Sequence, residues 1–409
     1  MKGLLYGVRP DPWDPPERSN PLMEGLARTP MKLTELDEPR PPRADWAIAR
    51  TRMSGICGSE AKQVFMDFGE GNTDSPLGHL FTFPTVLGHE VVADVVELGP
   101  EARNLEVGRR VVLNPWLSCG PRGVDPPCPA CAAGDYSVCW SFTTGPLAAG
   151  IHTGTCKDAP GGFAELFPAH HSMLIPVPDG VPDEVAVLAD PFAVSLHSVT
   201  RHPPPPDGRA LVYGAGALGI MATAILRSLY PGVEVMVVAR FAAQAQLARR
   251  LGATVVAHEP REAIVEEGAA WSGGVLQPVR EGLPMAHPGR IDVVYDTVGK
   301  PETFEVGVRL LKTRGTLVKS GVHAPGRWEY SPLYFKEITW VGSNAFGIEE
   351  VDGVRKHGIA HFLDLAAQGR VDLTGMLTHT FRLEQWREAF SLLADQEHSG
   401  AIKVAFDYR

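Results

Sequence analysis

The stretch ALVYGAGALG, residues 210–219, begins as a short apolar run and passes through three glycines spaced GxGxxG. It then continues into the apolar helical pattern IMATAILRSL. Between a strand and a helix, such glycines allow a tight turn, let a pyrophosphate approach the backbone, and let helix and strand pack closely. The helix N-terminus then faces the phosphates. Outside that setting the same string is a weak signal, and its alternative is a purely structural turn. Gly214, Ala215, Gly216, Ala217, Leu218 and Gly219 are therefore the candidate dinucleotide-binding residues.

The sequence downstream supplies the setting. EVMVVAR, AAQAQLARRLGA, TVVA, IDVVYDTVG, TFEVGVRLLKT, GTLVKSG and ITWVGS alternate strand-like and helical patterns. Strict alternation predicts a doubly wound parallel sheet covered on both faces. Residues 261–290 are long for a connection and read as a surface excursion with a short helix. The second strand ends in VVAR, so Ala239 and Arg240 stand where a carboxylate would bind the ribose hydroxyls of NAD. A cation there tolerates a 2′-phosphate, which favours NADP, with NAD as the alternative if Arg240 merely caps the strand in solvent.

Upstream of PPPPDG (203–208), a stiff extended connector, the chain is β-rich. MKGLLYGV, WAIARTRMSG, VLGHEVVADVVEL and GRRVVLNPW are the strand candidates, and the Pro-rich residues 9–30 read as an irregular surface insertion. The last segment reads as helices plus one terminal strand, AIKVAFDY.

Composition bounds the function. A chain of 409 residues, 44% hydrophobic, is long enough for roughly two domains. A net charge of −10 with no basic run argues against a nucleic-acid partner. No window has the ~18 to 20 apolar residues of a membrane span, and the N-terminus lacks the apolar core of a secretory signal, so a cytoplasmic location is expected. Six cysteines are too few for a disulfide framework and favour a reducing compartment.

Four of those cysteines fall close together. Cys128 and Cys131 form a CxxC, with Cys139 after it and Cys119 before it. Four thiolates on one loop suit a closed tetrahedral structural zinc, the alternatives being buried free thiols or a pair of disulfides. Cys156 reads as an ordinary buried thiol. A second constellation is mixed: Cys57 in SGICGSE, His89 and Glu90 in LGHE, and Asp190 in ADPF. Thiolate, imidazole and carboxylate leave a coordination position open, as a catalytic zinc needs. Each has a bland reading as well: a small core cysteine, a hydrogen-bonded strand entry, and a helix N-cap before Pro191.

Taken together, GICGSE, VLGHE, CPACAAGDYSVC, GGFAE, DPFAVSLH, GAGALG and DTVG resemble the zinc-containing medium-chain dehydrogenase/reductase family of alcohol, polyol and threonine dehydrogenases, in the family's order and over nearly the whole chain. The resemblance implies a GroES-like catalytic domain, residues 1–193 completed by 344–409, and a Rossmann domain, residues 194–343, with the active site in the cleft between them. It makes Cys57 and His89 catalytic zinc ligands. Glu90 is either a ligand or a neighbour of the ligands. Asp190 stands where polyol dehydrogenases carry a glutamate that binds zinc directly or through water. Ser59 matches the Ser/Thr that starts a proton relay, against the plain reading of a turn serine. The expected assembly is a homodimer or homotetramer.

Three features depart from the family pattern. Eight residues separate Cys119 from Cys128 where the family has two, leaving a three-cysteine or altered site as the alternative. Lys62 replaces a common histidine at the outer end of the proton path. Residues 9–30 and 66–83 give an unusual rim to the cleft, with His79 a further contributor.

The expected reaction is zinc-assisted hydride transfer between an alcohol or polyol and the nicotinamide of NADP or NAD, with a small alcohol or carbonyl compound as the substrate. One alternative is a zinc-free reductase of activated double bonds on the same fold, disfavoured because its members usually lack the cysteine and the His-Glu pair. The other is a non-catalytic NADP-binding protein.

Overall fold

The computed structural model describes residues 1–15, 19–68, 76–323 and 326–409. Strand Arg209–Tyr213 sits in the middle of a six-stranded sheet. Across the sheet the order is Thr254–Ala257, Glu234–Ala239, Arg209–Tyr213, Ile291–Asp296, Leu311–Lys319 and Thr339–Gly342, every neighbouring pair parallel. In chain order this is 3-2-1-4-5-6, the doubly wound dinucleotide-binding arrangement. The reversal of order beside Arg209–Tyr213 opens the crevice at the carboxyl ends of the strands, where Gly214 begins. Val and Leu dominate these strands because both faces are covered by helices.

The other large sheet has seven strands. Trp46–Gly55 is its spine, paired antiparallel with Glu90–Leu98, Leu166–His170 and the C-terminal Lys403–Asp407. The end of the chain therefore completes the sheet begun near its start. A smaller sheet joins Met31–Glu35, Lys2–Tyr6 and Thr85–Val86. Helix Ala189–Arg201 packs on helix Ala217–Leu229, and Ser195 Oγ donates to Leu218 O at 3.0 Å. Met53 and Val92 of one sheet share a continuous apolar core with Phe192, Ile220 and Val237, so burial of common apolar area holds the two parts together.

Three local expectations need correction. Residues 9–30 are not wholly irregular: Pro21–Arg28 is a helix capped by Asn20, whose Oδ1 accepts from Leu22 N and Met23 N at 3.0 and 3.1 Å. Asn followed by Pro at N1 was the legible signal, and Met23 and Leu26 are buried. Residues 261–290 hold a twelve-residue helix, Arg261–Ser272, stopped by Gly273 at φ 73°, with Ile264, Val265 and Ala269 in the core. The C-terminal segment adds a strand, Leu377–Phe381, parallel to Lys403–Asp407, and a hairpin of Ile348–Val351 with Val354–His357. Among the described residues no helix is long and apolar enough to cross a membrane.

Candidate active site

Cys57 caps the N-terminus of helix Gly58–Val64, and His89 immediately precedes strand Glu90–Leu98. One ligand atom from each of Cys57, His89 and Glu90 lies within 4.8 Å of the others. The segments are locked together by Glu60, which the sequence reading passed over. One oxygen of Glu60 accepts from Gly88 N (2.7 Å) and His89 N (3.0 Å) and lies 2.8 Å from His89 Nδ1; the other accepts from Cys57 N (3.0 Å). The available signal was the acid three residues after the helix cap, the spacing of a capping box. Gly88, at φ 101° and against Phe163, lets the chain turn into this position.

Burial penalises charge here, and opposite charges compensate. Burial opposes the Glu60 carboxylate, but His89 and the Cys57 amide outweigh it and lower its pKa. Burial likewise opposes the His89 cation, yet Glu60 and the Cys57 sulfur raise its pKa well above the usual imidazole value. With Nδ1 engaged by Glu60, Nε2 is the nitrogen left for a metal. Glu90 is paired with the fully buried Lys403, whose ammonium also donates to Ile56 O at 2.9 Å. Strand register brings Gly55 opposite Glu90, where a Cβ would overlap the carboxylate. A lysine inside the apolar run AIKVAF was the sequence signal for this partner.

Asp190 is buried in the first turn of helix Ala189–Arg201, one residue inside the helix rather than at its cap. Its carboxyl is not part of the close Cys57, His89 and Glu90 group. Burial pushes its pKa up to about 7, with Glu90 adding to the rise and His89 opposing it. Ser59 is exposed on the first turn of the Cys57 helix, and its Oγ donates to Cys57 Sγ at 3.2 Å. Lys62, one turn further, donates to Val322 O just beyond strand Leu311–Lys319, so the site lies where the two sheets' domains meet. His79 is exposed, in the short helix Pro76–Leu80, and part of the 66–83 rim, residues 69–75, lies outside the described residues.

His152, also unforeseen, is beside the group: its ring centroid is 4.6 Å from that of His89 and 5.7 Å from that of Trp116. Burial, helped by the neighbouring His89, lowers its pKa to about 3 and keeps it neutral. No sequence pattern marked this lone histidine in a glycine-rich loop.

The sulfurs of Cys119, Cys128, Cys131 and Cys139 lie within 4.8 Å of one another, and none is in a disulfide. The long spacing after Cys119 is taken up by a turn through Gly123 (φ 64°), closed by Val124 N to Cys119 O at 2.9 Å. Arg122 is buried within it and donates to the carbonyls of Leu117, Thr144, Leu147, Ala148 and Gly150. Backbone amides of Cys128, Cys131, Trp140 and Ser141 point at the sulfurs at 3.3–3.5 Å. Although burial opposes it, the amides of Trp140 and Cys131 bring the Cys128 thiol down to about 6. Converging sulfurs solvated by amides are what a tetrahedral thiophilic ion requires.

In the dinucleotide loop, Gly214 has φ 99° and donates to Val238 O at 3.1 Å. A Cβ on Gly219 would overlap Gly214 O, whereas Gly216, at the cap of helix Ala217–Leu229, faces open space. The loop thus combines close helix packing with a free approach to amide donors, which fits a pyrophosphate. Arg240 is exposed directly after strand Glu234–Ala239, its guanidinium 5.0 Å from the centre of the Phe241 ring.

Two family models match: the alcohol dehydrogenase GroES-like domain over residues 43–179 and the zinc-binding dehydrogenase domain over residues 217–358. The chain is 27% identical over 347 residues to L-galactonate-5-dehydrogenase of Escherichia coli (strain K12), covering 84% of this chain and 86% of that one. It is 28% identical over 388 residues to (R,R)-butanediol dehydrogenase of Saccharomyces cerevisiae, covering 90% and 93%. Its fold resembles a crystal structure from Escherichia coli CFT073, described as an alcohol dehydrogenase complexed with NADH. The TM-score is 0.73 at 21% identity, over 100% of this chain and 99% of that chain.

Proposed function

Because the chain belongs to the zinc-containing medium-chain dehydrogenase family, we propose that residues 57, 89 and 90 hold its catalytic zinc. We propose further that the protein oxidises an alcohol or polyol with a nicotinamide nucleotide. Alcohol and polyol oxidoreduction is the chemistry of its relatives. The observation that carries the reading is the approach of a thiol, an imidazole and a carboxylate within 4.8 Å at the meeting of the two domains. The division into residues 1–193 with 344–409, and 194–343, remains the proposed domain boundary. The four clustered cysteines are assigned a structural zinc.

When bound, zinc supplies Lewis acidity toward the alcohol oxygen and the nicotinamide supplies the hydride acceptor. The chain's residues do the rest. Cys57 and His89 would hold the ion, with Glu60 fixing the His89 ring and turning Nε2 toward it. Glu90 either reaches the ion or stays with Lys403, and Asp190, largely protonated below about pH 7, is near enough to feel the charges of His89 and Glu90. Ser59 Oγ, on the exposed side of Cys57, takes the hydroxyl proton outward, and Lys62 lies next along that path. The Gly214–Gly219 turn holds the pyrophosphate. Arg240 favours the 2′-phosphate of NADP over NAD.

The exposed edge strand Thr339–Gly342, paired on one side only, with Trp340, Tyr334 and Phe335 exposed nearby, supports assembly with a second copy. Six free cysteines support a cytoplasmic location. The test is alcohol oxidation by the zinc-loaded protein with NADP and NAD, beside a metal assay. Zinc-dependent nucleotide reduction is expected, and activity that survives complete zinc removal overturns the reading.

A further inference from the structure

The chain passes between the two large sheets twice. It leaves the seven-stranded sheet after Leu174–Pro176 and reaches the six-stranded one at Arg209–Tyr213, with helix Ala189–Arg201 on the way. It returns after Thr339–Gly342 through the hairpin of Ile348–Val351 and Val354–His357 and rejoins the first sheet at Leu377–Phe381. Cys57 and His89 adjoin strands of one sheet, and the dinucleotide turn follows a strand of the other. Hydride transfer needs its two carbons about 3–3.5 Å apart. The two crossings therefore set the reaction distance.

One buried carboxylate joins them. Glu349, on the returning strand, accepts from Thr200 Oγ1 with one oxygen (2.6 Å). Its other oxygen lies 2.7 Å from His197 Nδ1 and accepts from Gly347 N at 3.3 Å. A carboxylate only accepts, so His197 Nδ1 carries the proton. Burial opposes the Glu349 charge, but His197, Thr200 and the Gly347 amide outweigh it and lower its pKa. Beside this group the buried hydroxyls of Ser198 and Ser343 meet at 3.0 Å, one from each crossing.

Each crossing is anchored to both sheets. On helix Ala189–Arg201, Asp190 feels the charges of His89 and Glu90, and Ser195 Oγ donates to Leu218 O of the dinucleotide turn at 3.0 Å. On the return, Ser343 N donates to Lys319 O of the six-stranded sheet at 2.9 Å. Asn344 exchanges two hydrogen bonds with Ser137 of the four-cysteine loop (2.7 and 2.9 Å), and Ile348 N donates to Gly134 O in the same loop at 3.0 Å. Glu349 ties one anchored segment to the other.

We propose that Glu349, gripped by His197 and Thr200, is a positioning residue for hydride transfer, a clamp that fixes the distance between the catalytic metal site and the nicotinamide. This rests on the dehydrogenase reading above. Glu349 belongs neither to the Cys57, His89 and Glu90 group nor to the Gly214–Gly219 turn. Loosening it therefore changes how the two sites face each other and leaves each site's own affinity intact.

The test uses the full chain and the variants Glu349→Ala, Glu349→Gln and Thr200→Val. With 2,3-butanediol as the probe alcohol, Glu349→Ala should lower kcat about 10- to 100-fold through misalignment. Its nucleotide dissociation constant and zinc content should stay as in the wild type. The isotope effect on kcat, from alcohol deuterated at the carbinol carbons, should rise as hydride transfer becomes the slow step. Thr200→Val keeps the His197 contact and should lose less. Glu349→Gln, whose amide oxygen still accepts from His197, should recover most of kcat. A second readout needs no turnover: with cobalt loaded in place of zinc, paramagnetic relaxation of the C4 proton of bound nicotinamide reports its distance from the metal. That relaxation should weaken in Glu349→Ala and return in Glu349→Gln. The clamp is overturned if Glu349→Ala keeps the wild-type kcat and relaxation, or if nucleotide affinity and kcat fall in parallel. If Glu349→Ala does not fold, Thr200→Val decides by the same readouts. A wild type that shows neither turnover nor cobalt relaxation defeats the dehydrogenase reading and the clamp with it, whereas strong relaxation that no variant alters defeats the clamp alone.

Discussion

Glu60 Oε1 lies 2.8 Å from His89 Nδ1, and the same carboxylate accepts the amide hydrogens of Cys57, Gly88 and His89. One buried side chain thus sets the backbone course of two ligand-bearing segments and selects the ring nitrogen offered to a metal. Its charge is tolerated in the interior because its oxygens are met by three amides and an imidazole.

Replacing Glu60 with Gln keeps the shape and removes the charge. Zinc affinity at the Cys57 and His89 site should fall about 10- to 100-fold while the fold persists. Competition with a chelator of known affinity measures this, and an unchanged affinity would deny Glu60 its orienting part.

The Cys57→Ser variant should lose about one zinc ion per chain and its turnover, and still bind the nucleotide, because the Gly214–Gly219 turn belongs to the other sheet. Metal analysis and nucleotide titration read the two halves separately. Full activity in this variant is incompatible with a catalytic zinc.

Arg240 is the residue on which nucleotide choice should turn. Arg240→Ala is expected to lower kcat/KM for NADP by about 10- to 100-fold, through loss of a charge-assisted contact with the 2′-phosphate, and to leave NAD nearly unaffected. A parallel fall for both nucleotides would mean that Arg240 only shapes the strand end.

Elements with strong periodicity were legible in the sequence. ALVYGAGALG sits as a strand, turn and helix in the centre of the parallel sheet, because Gly214, at positive φ, and Gly219, packed on Gly214 O, answer steric needs that no other residue meets. The ligand candidates Cys57, His89 and Glu90 do converge, since local motifs fix each of them. What stayed hidden depends on pairing between distant segments. Lys403 reaches Glu90 only through strand register, and His152 reaches His89 only through loop packing. The helix Arg261–Ser272 was obscured by flanking glycines and prolines, although its buried face settles it against the sheet.

The four-cysteine loop should bind zinc more tightly as pH rises. The metal needs thiolates, and burial pushes the Cys139 thiol up to about 11 and raises Cys131 as well, so those protons must leave on binding. Cys128, down at about 6, is already ionised at neutral pH and takes up a competing proton only below that value. The fall of log affinity on acidification should therefore steepen below about pH 6. Zinc release followed from pH 8 to 5 in the Cys57→Ser background checks this, and a flat profile would count against thiolate ligation.

Lys403 offers a way to learn where Glu90 points. The pair is wholly buried, and Gly55 leaves the space in which it forms. Lys403→Met strands a carboxylate in the interior, which costs about 3–5 kcal/mol when nothing else neutralises it. Zinc is another cation within reach of Cys57 and His89, so a Glu90 able to turn toward it would be partly rescued. Thermal unfolding should then show a larger loss for Lys403→Met in the metal-free protein than in the zinc-loaded one. Adding Glu90→Gln should restore part of the metal-free stability, as expected for two coupled residues. Equal losses with and without zinc would instead place Glu90 beyond the ion's reach and leave Cys57 and His89 to hold it with another group.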